Sequence, residues 1–328
     1  MKILVTGATG FIGSHLVERL LKSGYEIKAT IRKTSNLRWL NDLPIELVDV
    51  SLQDKNSLES VVKDVDYIYH VAGLVAAKSY EEFVKANCET TRNLLEATYN
   101  ANNKLQRFVL VSSQTAAGPS ESLDKPKTED DVPNPITRYG KSKKESENIA
   151  KSFMSKLPIT IVRPPAVYGP RDPAIKDIFK IANKGLATLI GFNKKYVSLI
   201  HSSDLTRGIQ LAGESANSAG EIYFITSNKF YTWDEIMDAM KIALNNKIMI
   251  KIHLPHSLVL SLAAVSGFFG KFSQKPPVFD YEKGQDFIQN YWTCSPDKAK
   301  KDFNFISEIS LEKGMLETAN WYKAMKWI

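Results

Sequence analysis

Lys2–Gly13 reads KILVTGATGFIG, and this stretch decides the fold. Ile3–Val5 is an apolar run of strand type. Gly7, Gly10 and Gly13 follow at three-residue spacing, and Phe11–Leu21 then sets Ile12, Leu16, Val17, Leu20 and Leu21 on one helical face. A strand that passes through a glycine-rich turn into a helix start presents free backbone N–H groups and the positive end of the helix dipole, which suits a pyrophosphate. Gly7 permits the tight turn, Gly10 the close approach of backbone to phosphate, and Gly13 the close packing of helix on strand. The spacing departs from G-x-G-x-x-G, so glycines placed for steric reasons alone remain the competing reading of this stretch by itself.

The chain of 328 residues is long enough for one large domain or two smaller ones with a real core. With 43% hydrophobic and 24% charged residues it has the composition of an ordinary soluble globular protein, without a low-complexity tract or internal repeat. The net charge of +7 suits anionic ligands, but Lys alternates with Asp and Glu near the C-terminus, so no basic tail points to nucleic acid. Cys88 and Cys294, far apart and without metal-like spacing, fit a reducing cytoplasm better than a disulfide framework. The five histidines show no ligand spacing either, and no metal is expected. Because the first strand begins at the N-terminus, no signal peptide is expected. The longest apolar run, Leu258–Phe269, falls well short of the roughly 20 residues needed to span a bilayer. It could still lie at a membrane surface with Lys271 and Lys275 as a peripheral anchor, or serve as core or pocket wall.

Further strands are predicted at Glu26–Ile31, Ile45–Val48, Asp66–His70, Arg107–Val111 and Ile159–Val162, alternating with helices at Asn56–Val62, Tyr80–Ala101 and Ile136–Ser155. That alternation indicates a doubly wound parallel sheet, an α/β Rossmann architecture whose ligands sit at the carboxyl ends of the strands. The second strand ends in Arg32 and Lys33 with no carboxylate, which favours NADP over NAD. Asp49 and Val50 end the third strand, where they can meet the adenine edge. Val71, Ala72 and Gly73 end the fourth and are small enough for a dinucleotide to lie across them. Gly118–Pro135, with four prolines and Glu129-Asp130-Asp131, is a candidate rim over the site or a plain surface loop. Pro164-Pro165 breaks the pattern, and the domain change is placed there: 1–165 bind the dinucleotide with 194–226 returning to that domain, while 166–193 and 227–328 form a smaller, mainly helical substrate domain. Asp204 is expected to cap the helix Leu205–Leu211, and Thr232 with Glu235 to form a capping box.

Tyr139 and Lys143 stand four residues apart on one helix and share a face. An ammonium beside a phenol favours phenolate and is expected to lower the tyrosine pKa. Ser113, at the tip of a neighbouring strand, can hydrogen-bond the same substrate oxygen, and Ser112 is the alternative because the register is open by one residue.

The whole set resembles the extended short-chain dehydrogenase/reductase family. That family includes nucleotide-sugar epimerases and dehydratases, dihydroflavonol reductases and 3β-hydroxysteroid dehydrogenases. TGATGFIG at Thr6–Gly13 is similar to its cofactor fingerprint, HVAG at His70–Gly73 to its fourth-strand motif, and VSSQTAAG at Val111–Gly118 to its serine strand. YGKSK at Tyr139–Lys143 is similar to its Y-x-x-x-K motif, RPPAVYGP at Arg163–Pro170 to the segment lining the nicotinamide, and LIHSSDL at Leu199–Leu205 to a segment in its second half. The resemblance implies a catalytic set of Ser113, Tyr139, Lys143 and Asn87. It also implies cofactor contacts from Gly7, Thr9, Gly10, Phe11, Ile12 and Gly13, from Tyr139 and Lys143, and from Pro165, Ala166 and Val167. A homodimer built on the two long helices is implied as well.

Where the epimerases carry an asparagine in R-x-x-N-x-Y-G-P, this chain has Pro165 and Ala166, which suit a less polar substrate than a nucleotide diphosphate. Leu74, Val75, Phe192, Tyr196 and the Leu258–Phe269 run are candidate apolar wall, with ordinary core as the competing role. His201 and Asp204 are expected in cap or core roles. The expected activity is NADP(H)-dependent interconversion of a ketone and a secondary alcohol on a small, fairly apolar substrate. The alternative is a nucleotide-sugar epimerase or dehydratase with tightly held NAD.

Overall fold

Strand β1 (Lys2–Thr6) enters helix α1 (Phe11–Lys22) through the glycine turn, and Gly24 at φ +83° turns the chain into β2 (Glu26–Ile31). The computed structural model describes residues 1–270 and 279–328. There follow β3 (Glu46–Asp49), α2 (Lys55–Val62) and β4 (Tyr67–His70). The predicted helix over 80–101 is one rod in three parts: α3 (Tyr80–Phe83), a π-turn (Val84–Glu89) that carries Asn87, and α4 (Thr90–Ala101). Next come β5 (Arg107–Val111), the single turn α5 (Gln114–Ala117), α6 (Arg138–Phe153) and β6 (Ile159–Arg163).

These strands make a seven-stranded, wholly parallel sheet in the order β10-β6-β5-β4-β1-β2-β3, where β10 is Ile222–Phe224. Its central strands are covered on both faces, so β4, β5 and β6 are buried throughout, as their near-continuous apolar sequences require. Leu16, Val17 and Leu20 of α1 pack on one face with Ile209 and Ala212. Leu58, Leu94, Leu95 and Ile149 pack on the other.

The second lobe starts with β7 (Ala166–Tyr168), α7 (Lys176–Asn183), β8 (Leu186–Ile190) and β9 (Tyr196–His201). Strand β9 lies in a small sheet with β7, β11 (Phe230–Thr232) and β13 (Tyr291–Trp292). The chain rejoins the main domain through α8 (Ser202–Glu214), which packs on α1, and through β10. Asp204 does not cap α8: the cap is His201, whose Nδ1 accepts from the Ser203 N–H, and Asp204 lies within the first turn.

Helix α9 (Trp233–Leu244) has the predicted capping box, with Thr232 accepting from the Glu235 N–H and Glu235 from the Thr232 N–H. Strand β12 (Ile250–Leu254) pairs in parallel with β8, across some sixty residues of chain. Helices α10 (His256–Gly270), α11 (Tyr281–Ile288), α12 (Asp297–Phe303) and α13 (Leu311–Ala324) complete the lobe.

The Gly118–Pro135 segment is docked rather than draped. Ser120 and Lys127 donate backbone N–H groups to the Tyr291 and Thr293 carbonyls, and Glu129 Oε1 accepts the N–H of Phe224 at 2.8 Å.

Candidate active site

Glycine is required twice in the first turn. Gly7 has φ +71°, and a Cβ there would lie 2.7 Å from the Ala72 nitrogen; a Cβ on Gly13 would lie 2.1 Å from the Gly7 carbonyl oxygen. Helix and strand therefore meet backbone to backbone. Gly10 supplies no side-chain cap to α1 and its first turn holds no acid, so the helix N-terminus at Phe11, Ile12 and Gly13 offers donors and a positive dipole end to an anion, with Thr9 beside it in the turn.

Across the turn, Thr6 Oγ1 bonds His70 Nδ1 at 2.7 Å and accepts the Ala72 N–H at 3.3 Å, which fixes Val71, Ala72 and Gly73 at the end of β4. His70 Nε2 meets Thr91 Oγ1 at 3.1 Å. Burial, then the Lys143 charge, holds the imidazole down at about 3, so it is neutral. A Cβ on Gly73 would sit 2.9 Å from Asn87 Oδ1 and 3.8 Å from Lys143 Nζ. These bare positions fit a dinucleotide laid over the strand ends.

Arg32 and Lys33 are exposed in a tight turn in which Ser35 Oγ accepts the Arg32 N–H at 2.9 Å. Among the described residues neither cation has a carboxylate partner. Exposed Asp49 stands opposite Ile31 in the register, next to that turn, and the N–H of buried Val50 bonds the Ile31 carbonyl.

Thr137 caps α6 by accepting the Gly140 N–H at 3.1 Å, which puts Tyr139 in the first turn, its ring 6.0 Å from that of Phe83. Burial pushes the phenol up to about 12, against a lowering hydrogen bond with Ser113, and the Asp286 carboxylate raises it further. Lys143, a turn later, is buried and brought down to about 8 by desolvation, against the raising charge of Glu147. Its ammonium donates to the Val111 carbonyl at 2.7 Å. The expected lowering of the phenol by Lys143 is thus not found: burial dominates, and the ammonium is engaged by the strand.

Asn87, on the π-turn, accepts the Leu74 N–H at 2.8 Å and donates to the Leu74 carbonyl and to Ser142 Oγ. Ser142 in turn donates to the Tyr139 carbonyl at 2.8 Å. Asn87 therefore couples the loop after β4 to the first turn of α6. The signal for Ser142, a small polar residue between Tyr139 and Lys143, was too weak to single it out.

The two serines at the tip of β5 point apart, as successive strand residues do. Ser112 Oγ donates to Glu147 Oε1 at 2.6 Å, and Arg163 holds the same carboxylate through Nε at 2.9 Å and Nη2 at 2.7 Å, all of it buried. Ser113 accepts from the Thr115 N–H and hydroxyl and is the serine at Tyr139. Pro164 follows β6 and its carbonyl accepts the Gln114 N–H, so Pro165, Ala166 and Val167 start beside the serine turn.

Other candidates lie elsewhere. His201 is buried and lowered to about 4 by desolvation; Asp204 accepts the backbone N–H groups of Glu308 and Ile309 and pairs with Arg207. Phe192 is exposed and stacks on His253, Tyr196 stacks on Tyr291, and Leu74 and Val75 are exposed next to Gly73. Helix α10 buries Val259 and Ala263 and exposes Leu258, Leu262 and Val265; Lys271 and Lys275 lie outside the described residues. A cavity of about 360 Å³ opens between α7, β8, α9, α10 and α11, lined by apolar side chains such as Trp233, Met237, Leu254, Val259 and Phe287. Among the described residues no helix is long and apolar enough to cross a membrane, and no cluster of three metal-ligating side chains occurs.

A glycine loop at the tip of the first strand of a parallel sheet, facing a tyrosine and a lysine one helical turn apart, is the arrangement of an NAD(P)-dependent enzyme of the extended short-chain type. The chain belongs to the NAD dependent epimerase/dehydratase family, whose model matches residues 3–226. It is 28% identical over 327 residues to a ceramide reductase of Caulobacter vibrioides, covering 99% of this chain and 96% of that protein. It is 27% identical to the decarboxylating sterol-4-alpha-carboxylate 3-dehydrogenase of Dictyostelium discoideum, covering 96% and 99%. The fold is shared with the UDP-glucuronic acid 4-epimerase of Bacillus cereus, solved in complex with UDP-glucuronic acid and NAD (TM-score 0.78, 24% identity, 99% of this chain and 100% of that one).

Proposed function

We propose that the chain is an NADP(H)-dependent oxidoreductase that interconverts a ketone and a secondary alcohol on a fairly apolar substrate. The observation that carries this reading is the meeting of Ser113 and Tyr139 at the strand tip, with Lys143 one turn further along α6. When bound, NADP(H) gives or takes the hydride.

The rest is done by side chains. Tyr139 keeps its proton at neutral pH and can hand it to the carbonyl oxygen; Ser113 orients and polarises that oxygen. Lys143 provides positive charge a turn from the phenolate left behind, and hydrogen-bond donors for the nicotinamide ribose. Asn87 fixes the first turn of α6 through Ser142. Gly7–Gly13 would cradle the pyrophosphate, Asp49 and Val50 would meet the adenine, and Val71–Gly73 with Pro165–Val167 would flank the dinucleotide. Arg32 and Lys33, which have no carboxylate partner among the described residues, support NADP.

An apolar substrate is supported by Pro165 and Ala166 in place of a polar diphosphate contact, by the apolar cavity, and by relatives named for a ceramide and a sterol carboxylate. We also read the outer faces of the α3–α4 rod and α6 as a homodimer seam, the location as cytoplasmic, and the apolar outer face of α10 as a site of weak peripheral membrane contact.

The second reading, a nucleotide-sugar epimerase or dehydratase, draws on the fold shared with an epimerase. Purified protein is denatured and any released nucleotide identified, and NADPH oxidation is followed with long-chain ketones. Net oxidation of NADPH supports the reductase. Released NAD together with no net oxidation supports the epimerase.

A further inference from the structure

One acid in the second lobe is left without a task by the chemistry above. Asp286 on α11 is only 7% exposed, and its buried Oδ1 has no hydrogen-bond partner among the described residues. Oδ2 has Lys283 at 3.6 Å, a lysine that is half exposed. An orphaned carboxylate oxygen in a buried place is costly, and a folded chain seldom keeps one without a reason.

Its placement is built, not incidental. Arg138, the residue before Tyr139, donates its backbone N–H to Glu282 Oε2 at 2.8 Å and its Nε to Glu282 Oε1 at 2.9 Å, and its Nη2 reaches Asp280 Oδ2 at 3.3 Å. This clamps the start of α11 onto the start of α6. Glu282 and Asp286 are four apart and share a helix face, so the clamp turns Asp286 toward the same first turn of α6. The Asp286 charge also acts on that turn, where it raises the Tyr139 phenol. At the other end of α11 the Asp286 carbonyl accepts from Trp292 Nε1 at 2.9 Å and from the Gln289 N–H, which holds the helix terminus still. The next residue, Phe287, lines the apolar cavity. Asp286 and Phe287, consecutive on the helix that is clamped to α6, thus supply a buried carboxylate and part of the wall of the apolar cavity.

We propose that Asp286 is a specificity-determining residue that accepts a hydrogen bond from a hydroxyl or amine on the carbon next to the reacting one, while the hydrocarbon of the same substrate runs past Phe287 into the cavity. The substrate class is an amphipath with vicinal polar groups on a long apolar body. This rests on the reductase reading of the Ser113–Tyr139–Lys143 site. A buried carboxylate oxygen without a donor rejects a substrate that lacks one more strongly than an apolar wall rejects a missing methylene, because that acceptor stays unsatisfied.

The test uses the full-length protein with NADPH and two probes, a twelve-carbon straight-chain ketone and the same ketone bearing a hydroxyl on the neighbouring carbon. The wild type should favour the hydroxyketone in kcat/KM. Asp286→Ala should lower the ratio of kcat/KM for the hydroxyketone over the plain ketone by about ten- to a hundredfold, and Asp286→Asn, which keeps the volume and one weaker acceptor, should fall between. Thermal melting and NADPH binding serve to show that both variants are folded. Equal use of the two ketones by the wild type, or a preference that survives in folded Asp286→Ala, overturns the role of Asp286 and leaves the reductase standing. Turnover of neither ketone by the wild type overturns the reductase reading and this proposal with it.

Discussion

Lys143 Nζ lies 2.7 Å from the Val111 carbonyl, so the buried ammonium is braced against the strand that leads to Ser113 and not against the phenol four residues before it. The bond fixes α6 to the end of β5 and with it the spacing of Tyr139 from Ser113. A buried lysine brought down to about 8 is also a weak holder of its proton. Its ammonium is present at neutral pH and is lost as the medium passes above that value.

Tyr139→Phe should reduce turnover by about a hundred- to ten-thousandfold while nucleotide binding persists, because only the transferable proton is removed. Lys143→Met removes both the charge near the phenol and the donors for the ribose, so turnover and NADPH affinity should fall together. Fluorescence titration of NADPH beside steady-state rates separates the two. A Tyr139→Phe enzyme with wild-type rates would remove the tyrosine from the chemistry.

The neighbouring serines should behave oppositely. Ser112→Ala takes one donor from the buried Glu147–Arg163 pair and should cost about 1–3 kcal/mol in urea unfolding with turnover nearly kept. Ser113→Ala should cost only about 1 kcal/mol, the loss of the α5 cap, yet lower turnover by about a hundredfold or more. The reverse pattern would assign the chemistry to Ser112.

Much of this was legible in the residues. The turn at Gly7–Gly13, the strands Glu26–Ile31 and Arg107–Val111, the capping box at Thr232 and the i, i+4 pair at Tyr139 and Lys143 each carry a local rule: glycine sterics, burial on both faces, a reciprocal cap, helical spacing. What stayed hidden depends on distant partners. The π-turn around Asn87 has the side-chain pattern of a plain helix, and β8 pairs with β12 through a register no local pattern encodes. Which way each serine points turns on one residue of strand register, and it is Ser112 that is held by the buried Glu147–Arg163 pair. Asp286, more than 140 residues after Tyr139, stands on the helix that Arg138 pins to α6 through Glu282 and Asp280, bonds that only the folded chain reveals.

Arg32 supplies a reversible test of cofactor choice. Arg32→Glu puts an acid at the end of β2, where it can accept from a ribose and repel a 2′-phosphate. The ratio of kcat/KM for NADPH over NADH should fall by about tenfold or more, about the worth of one charge-assisted hydrogen bond. An unchanged ratio, with Lys33 also replaced, would move the phosphate-reading group elsewhere.

His70 should set part of the acid limit of stability. Its two ring nitrogens lie against the hydroxyls of Thr6 and Thr91, and burial, followed by the Lys143 charge, holds it at about 3 in the folded chain. Once unfolded, it takes a proton near about 6.5. Between those values the unfolded chain binds more protons than the folded one, so stability rises with pH across the window and is lost as pH falls through it. His70→Asn keeps a polar contact to Thr6 and cannot titrate. At neutral pH it should be less stable by about 1–3 kcal/mol for the lost bond to Thr91, but its stability should decline less steeply on acidification. Urea midpoints taken from neutral pH down to about pH 4 measure the two slopes. Parallel curves for the two proteins would mean that His70 is not held neutral by the fold, and that the charge of Lys143 is not felt at the end of β4.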